Sequence, residues 1–184
     1  VIVIYKYCNM SAVVYESYTK HNGEKGQFLV RDTTDKHDAV IALSEIEKNL
    51  NNLIKILIND KECINNKEMF PFIQKINEKL QTVEIQETPA DSKYTSYSVN
   101  KGEILVFCIR SKETFKIHNL NELLYVAIHE IAHIGCPEVG HTELFFKINK
   151  YLIKKAIENN IYKYIDYSIK NTKYCGMILT TSVA

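Results

Sequence analysis

The segment Val126-Ala-Ile-His129-Glu130-Ile-Ala-His133-Ile-Gly135-Cys-Pro137-Glu-Val-Gly140-His141 constrains the fold more than any other part of the chain. On an α-helix four residues advance about 400°, so His129 and His133 project from one face about one turn apart. Leu124, Ile128, Ile131 and Ile134 recur roughly on the other side, as a core-facing stripe should. The helix then has to stop. Gly135 predicts a C-terminal cap, and Pro137 blocks any resumption. The chain turns, and His141 arrives at the start of the next helix.

Such a helix suits metal chemistry. The segment contains HExxH, in which two imidazoles can approach a single Zn²⁺ at roughly 2.0–2.1 Å without bending the backbone. A turn that returns His141 to that face supplies a third ligand. The fourth position is then left to water, which is the catalytic arrangement and not the structural one. Glu130, beside the first ligand, is placed as a general base. By chance alone, HExxH arises in about 2% of chains with six histidines and sixteen glutamates. Blander readings stand beside these: a pair of satisfied histidines on a half-buried helix, a solvated Glu130, and a His141 that merely begins a helix. Glu138 and Glu143 are rival ligands or plain loop and first-turn acids. Cys136 reads as a small buried thiol before it reads as a ligand.

Around that segment the expected organisation is a single domain over 1–184. With 46% hydrophobic and 24% charged residues the chain is neither disordered nor collagen-like. Gln27 to Val30, after Gly23 and Gly26, reads as a strand. Residues 38–59 carry apolar side chains every three or four positions and predict a helix. A second helix is predicted over 68–80, with Pro71 in its first turn. The period then changes: 94–99 and 104–110 read as a β-hairpin around Asn100-Lys101-Gly102. Helices follow over 121–134 and 142–159, ending in an irregular, Tyr-rich tail. The apolar stretches at 1–5 and 123–128 are far too short to span a bilayer. Residues 1–5 also lack a basic n-region, so no secretory signal is expected. The first residue is Val, which suggests a missing upstream piece.

Net charge of +1 excludes binding of nucleic acid or membranes through bulk charge, though not through a local patch. Isoleucine and lysine number 24 and 21 against two arginines, a bias that AT-rich codons explain, so no meaning attaches to Lys replacing Arg. Cys8, Cys63, Cys108, Cys136 and Cys175 are odd in number and form no CxxC pair. Reduced thiols in an intracellular setting are therefore expected, and neither a disulfide scaffold nor a zinc ribbon. The sequon Asn9-Met10-Ser11 reads as chance.

The motif His129–His133, followed by Gly140-His141-Thr-Glu-Leu-Phe145, resembles the zincin-type metallopeptidases of the WLM and SprT-like group. There a His with an aromatic residue four positions on follows HExxH after a variable loop. The chain looks most like the small versions encoded by large DNA viruses, which are similar in the hairpin around Thr95-Ser-Tyr-Ser and in the tail Tyr174-Cys175-Gly176. The resemblance covers 94–178 and leaves 1–90, a strand and helices, unmatched. It departs from metzincins, because His141 comes eight positions after His133, where theirs comes six after the second His.

The resemblance implies an α+β zincin-like core, a small antiparallel or mixed sheet packed on helices, with the second hairpin strand along the cleft. It also implies one Zn²⁺ per chain, held by His129, His133 and His141, and a protein or peptide substrate added to the sheet edge. Tyr97, His118 and Tyr174 are candidate donors to the oxyanion. Members of the group act on proteins crosslinked to DNA. On the last helix Lys147, Lys150 and Lys154, with Lys155 adjacent, are therefore candidate phosphate contacts, or simply a solvated face. The expected function is a zinc-dependent endopeptidase acting on DNA-associated proteins, inside the cell (host cytoplasm or nucleus if viral) and not at a membrane. Two alternatives are a zinc-binding but inactive interaction or virion-associated protein, and an interaction domain whose HExxH is accidental.

Overall fold

The computed structural model describes residues 13–19 and 25–179. Strands β1 (Val13–Thr19) and β2 (Lys25–Arg31) pair antiparallel, and helices α1 (Lys36–Asn59), α2 (Lys61–Asn65) and α3 (Phe70–Leu80) follow. Strands β3 (Glu84–Glu87), β4 (Tyr97–Val99) and β5 (Ile104–Phe107) complete a five-stranded sheet in the order β1-β2-β3-β5-β4. Two long helices come next, α4 (Leu120–Gly135) and α5 (Glu143–Glu158), and then the hairpin β6 (Thr172–Tyr174)–β7 (Met177–Leu179). The sheet is mixed: β2/β3 and β3/β5 are parallel, while β1/β2 and β4/β5 are antiparallel. This is the α+β arrangement expected. Among the described residues no helix is long and apolar enough to cross a membrane.

A parallel β2–β3 pair requires a crossover, and the three helices α1–α3 supply it. The buried face of α1 (Leu43, Ile46, Leu50, Leu53, Leu57) lies between the sheet and helices α3 and α4. On the sheet side Phe28, Val30, Ile85, Leu105 and Phe107 meet it. Helix α4 is apolar almost all round and lies in the middle of the molecule. Asn119 caps it, Oδ1 accepting from the Glu122 N–H at 3.0 Å.

Both arginines of the chain lie in one buried network. Glu87, at the end of β3, accepts from Arg110 Nε at 2.7 Å and from the Arg31 N–H at 2.8 Å. Arg31 Nε donates to the Thr88 carbonyl at 2.8 Å, and Arg110 also pairs with Asp35 at the start of α1. The network pins β2, β3, the chain after β5 and the first turn of α1 to one another. Removing one member strands the others: breaking a buried pair from one side costs about 3–5 kcal/mol.

Several expectations are corrected. The reduced-thiol reading fails for one pair, because the fold sets Cys108, just beyond β5, beside Cys175 in the β6–β7 turn, and they form a disulfide. Cys63 and Cys136 are free and buried. The parity of five thiols carries no information about which two a fold will juxtapose. Gly135 is not a left-handed cap but the last residue of α4. Its missing side chain serves close packing, since a Cβ there would stand 2.9 Å from Ile76 Cδ1. Within the hairpin, β5 is interior to the sheet and β4 is the edge. The tail is not wholly irregular, because β6 and β7 pair. Residues 1–5, Cys8, the sequon at 9–11 and Gly23 lie outside the described residues.

Candidate metal centre

The three histidines converge. His129 and His133 project from α4, and His141 returns from the loop ahead of α5. His141 Nε2 lies 3.0 Å from His129 Nε2 and 3.2 Å from His133 Nε2. Three nitrogens around a tetrahedral zinc at ~2.05 Å would stand roughly 3.3 Å apart, so the set fits that ion closely. Burial and the neighbouring imidazoles push His129 down to about 3 and His133 to about 4. Neutral imidazoles leave lone pairs for a metal, which is the state a ligand needs.

Phe145 is the floor of this cluster. It is fully buried on the first turn of α5 and stacks on the His133 ring with centroids 4.1 Å apart. The His129 and His141 rings each stand 4.9 Å from it, at steeper angles. The helix that carries Phe145 is capped by Thr142, whose Oγ1 accepts from the Phe145 N–H at 3.3 Å. One short stretch thus fixes the third imidazole and the surface beneath all three. The rivals are elsewhere: Glu138 and Glu143 are exposed, Cys136 is fully buried, and none belongs to the cluster.

The centre opens into a cleft of about 520 Å³. One wall is Thr95 to Ser98 on and before edge strand β4, and the floor is α4 with Glu130. Met177, Ile178 and Leu179 of β7 also line the cleft, which sequence reasoning missed; the turn that leads into them, Cys175-Gly176, is at positive φ. Glu130 is 6% exposed, and burial raises its carboxyl to about 7. A base with that value is poised at neutral pH.

Of the three oxyanion candidates, Tyr97 and Tyr174 line the cleft and His118 does not. Tyr174 is buried, with its hydroxyl 3.0 Å from Ser96 Oγ. His118 packs behind it, ring centroids 4.8 Å apart, with Nδ1 3.3 Å from Glu122. On α5, Lys150 is exposed, Lys147 is paired with Glu68, and Lys154 lies 3.8 Å from Glu158. Lys155 is not part of that face: it is buried and paired with Glu62 at 2.9 Å and Glu158 at 3.1 Å.

No family model matches the chain. It is 40% identical over 164 residues to the uncharacterized protein R325 of Acanthamoeba polyphaga mimivirus, which spans 89% of this chain and 82% of that protein. The uncharacterized protein 042R of Invertebrate iridescent virus 3 is 35% identical over 82 residues, covering 45% of this chain and 50% of its own length. Among solved structures, Wss1 of Saccharomyces cerevisiae shares the fold, with a TM-score of 0.52 at 18% identity over 71% of this chain and 88% of that one.

Proposed function

We propose that this chain, which belongs to one family with the mimivirus protein R325, is a zinc-dependent endopeptidase. The observation that carries the proposal is the convergence of three imidazole Nε2 atoms beside a buried carboxylate in an open cleft. A fold shared with Wss1, a WLM-family metallopeptidase, supports it.

His129, His133 and His141 would hold one Zn²⁺. Zinc there would lower the pKa of a water toward 7 and polarise a carbonyl. Everything else falls to the chain's own residues. Strand β4 is a sheet edge on the cleft, and its free backbone groups take an extended substrate as an added strand. Glu130 accepts a proton from the attacking water on its carboxylate and returns it to the leaving amine nitrogen. Substrates of this reading are proteins held on DNA, with Lys147, Lys150 and Lys154 as phosphate contacts.

The test joins metal content with turnover. About one zinc per chain is expected in the wild type, and His129→Ala and His141→Ala should lose it. Glu130→Gln should keep zinc and lose about 10²–10⁴-fold in kcat on an unfolded protein substrate. Bound zinc without Glu130-dependent cleavage would leave a metal-binding interaction protein. No zinc after reconstitution would sink both.

A further inference from the structure

His141 belongs to a loop with little to hold it. Residues 137–141 are all exposed, with Val139 at 86%. Cys136 still bonds back to α4, its N–H donating to the Ala132 carbonyl at 2.9 Å. Thr142 already caps α5. Among the described residues, 137–141 take part in no backbone–backbone hydrogen bond as donors. Beyond the packing of its ring on Phe145, the loop that carries His141 has a further contact.

That contact comes from across the cleft. Lys101, in the β4–β5 turn, donates from Nζ to the carbonyls of Cys136 at 3.1 Å, Pro137 at 2.5 Å and Glu138 at 3.3 Å. An ammonium carries three N–H donors, and here three consecutive carbonyls take them. The turn presenting it is itself constrained. Asn100, Lys101 and Gly102 have φ of 47°, 51° and 102°, a left-handed run that non-glycine residues adopt only when their surroundings enforce it. A Cβ on Gly102 would stand 3.1 Å from Ile134, the residue after His133, so the turn packs directly on the helix of the first two histidines.

We propose that Lys101 is a positioning residue for the third metal ligand, its ammonium bracing residues 136–138 so that His141 is held opposite His129 and His133. Turn, helix and loop form a closed frame in which Lys101 is the strut. The inference rests on the zinc reading of the site. It assigns a role to a lysine whose charge would otherwise be a liability beside a cation. The acceptors are main-chain carbonyls, which explains how such a lysine escapes motif searches.

The experiment is zinc affinity by chelator competition in solution, with the apo-protein melting temperature measured alongside. Lys101→Met keeps the aliphatic stem and removes the donors. It should weaken zinc binding about 10–100-fold, the usual cost of losing a residue that orients a ligand, while lowering the apo-protein melting temperature only slightly. Lys101→Arg, which still donates, should recover most of that affinity. In a His141→Ala background, where only the weak residual affinity of two histidines is left to titrate, Lys101→Met should cause no further loss, because the ligand it positions is already gone. Wild-type affinity in Lys101→Met, an equal loss in both backgrounds, or a Lys101→Met chain that does not fold would each overturn the role. A wild type that binds zinc while failing these comparisons rejects this inference alone. A wild type that binds none rejects the endopeptidase reading with it.

Discussion

At the scale of single residues, the three converging histidines, the buried Glu130 beside them and Phe145 beneath them were placed by local spacing. His129, Glu130 and His133 follow from helical geometry, and the turn forced by Pro137 announces His141. Lys101 and Ser96 were not legible, since their partners are a main chain 35 residues away and a tyrosine 78 residues away. His118 shows how such placement changes chemistry. Burial lowers its pKa against the pull of Glu122, and its Nε2 accepts from the Cys175 N–H at 3.4 Å. The folded state therefore takes up a proton on His118 at a lower pH than the unfolded chain, which does so below about pH 6.5. The stability this supplies is complete above that value and declines as pH falls through it. Urea midpoints at pH 7.5 and 5.5 should show a larger acid-side loss in the wild type than in His118→Gln.

Elements were readable where they are long and periodic. The apolar spacing of α1, α4 and α5 sets their extent to within a residue or two of the prediction. Strand β3 escaped because Glu84-Ile-Gln-Glu87 has a single apolar residue, and its buried Glu87 is the type of side chain that ordinarily marks a surface. The short β6 and β7 lie in a polar, Tyr-rich stretch and gain their order from what they pack against. On α5 the buried Phe145, Ile148, Leu152 and Ala156 anchor the helix, which leaves Lys147, Lys150 and Lys154 outward. If those lysines meet phosphates, replacing all three by Ala should make the slope of log K against log salt shallower by about 2–3. An unchanged slope in titrations with duplex DNA removes this face from the reading.

For the molecule as a whole, the cleft is assembled from parts far apart in the chain, and one covalent link holds its outer wall. The Cys108–Cys175 bridge ties the β6–β7 turn to the end of β5 across 67 residues. Closing a loop of that order stabilises a fold by roughly 2–4 kcal/mol. Reduction should lower the denaturation midpoint accordingly and speed amide exchange first across 172–179, a pattern that hydrogen-exchange mass spectrometry resolves peptide by peptide. Uniform acceleration throughout the chain would instead mean that the link supports the core and not the wall. The other long-range device, the network around Glu87, has a consequence for recognition. The chain has two arginines, and both are buried inside it. Its outer surface therefore has no guanidinium fork with which to grip a guanine edge or a phosphate in two places at once. Any nucleic acid that docks there is met by lysine ammoniums, round and hydrated charges that respond to the density of the polyanion.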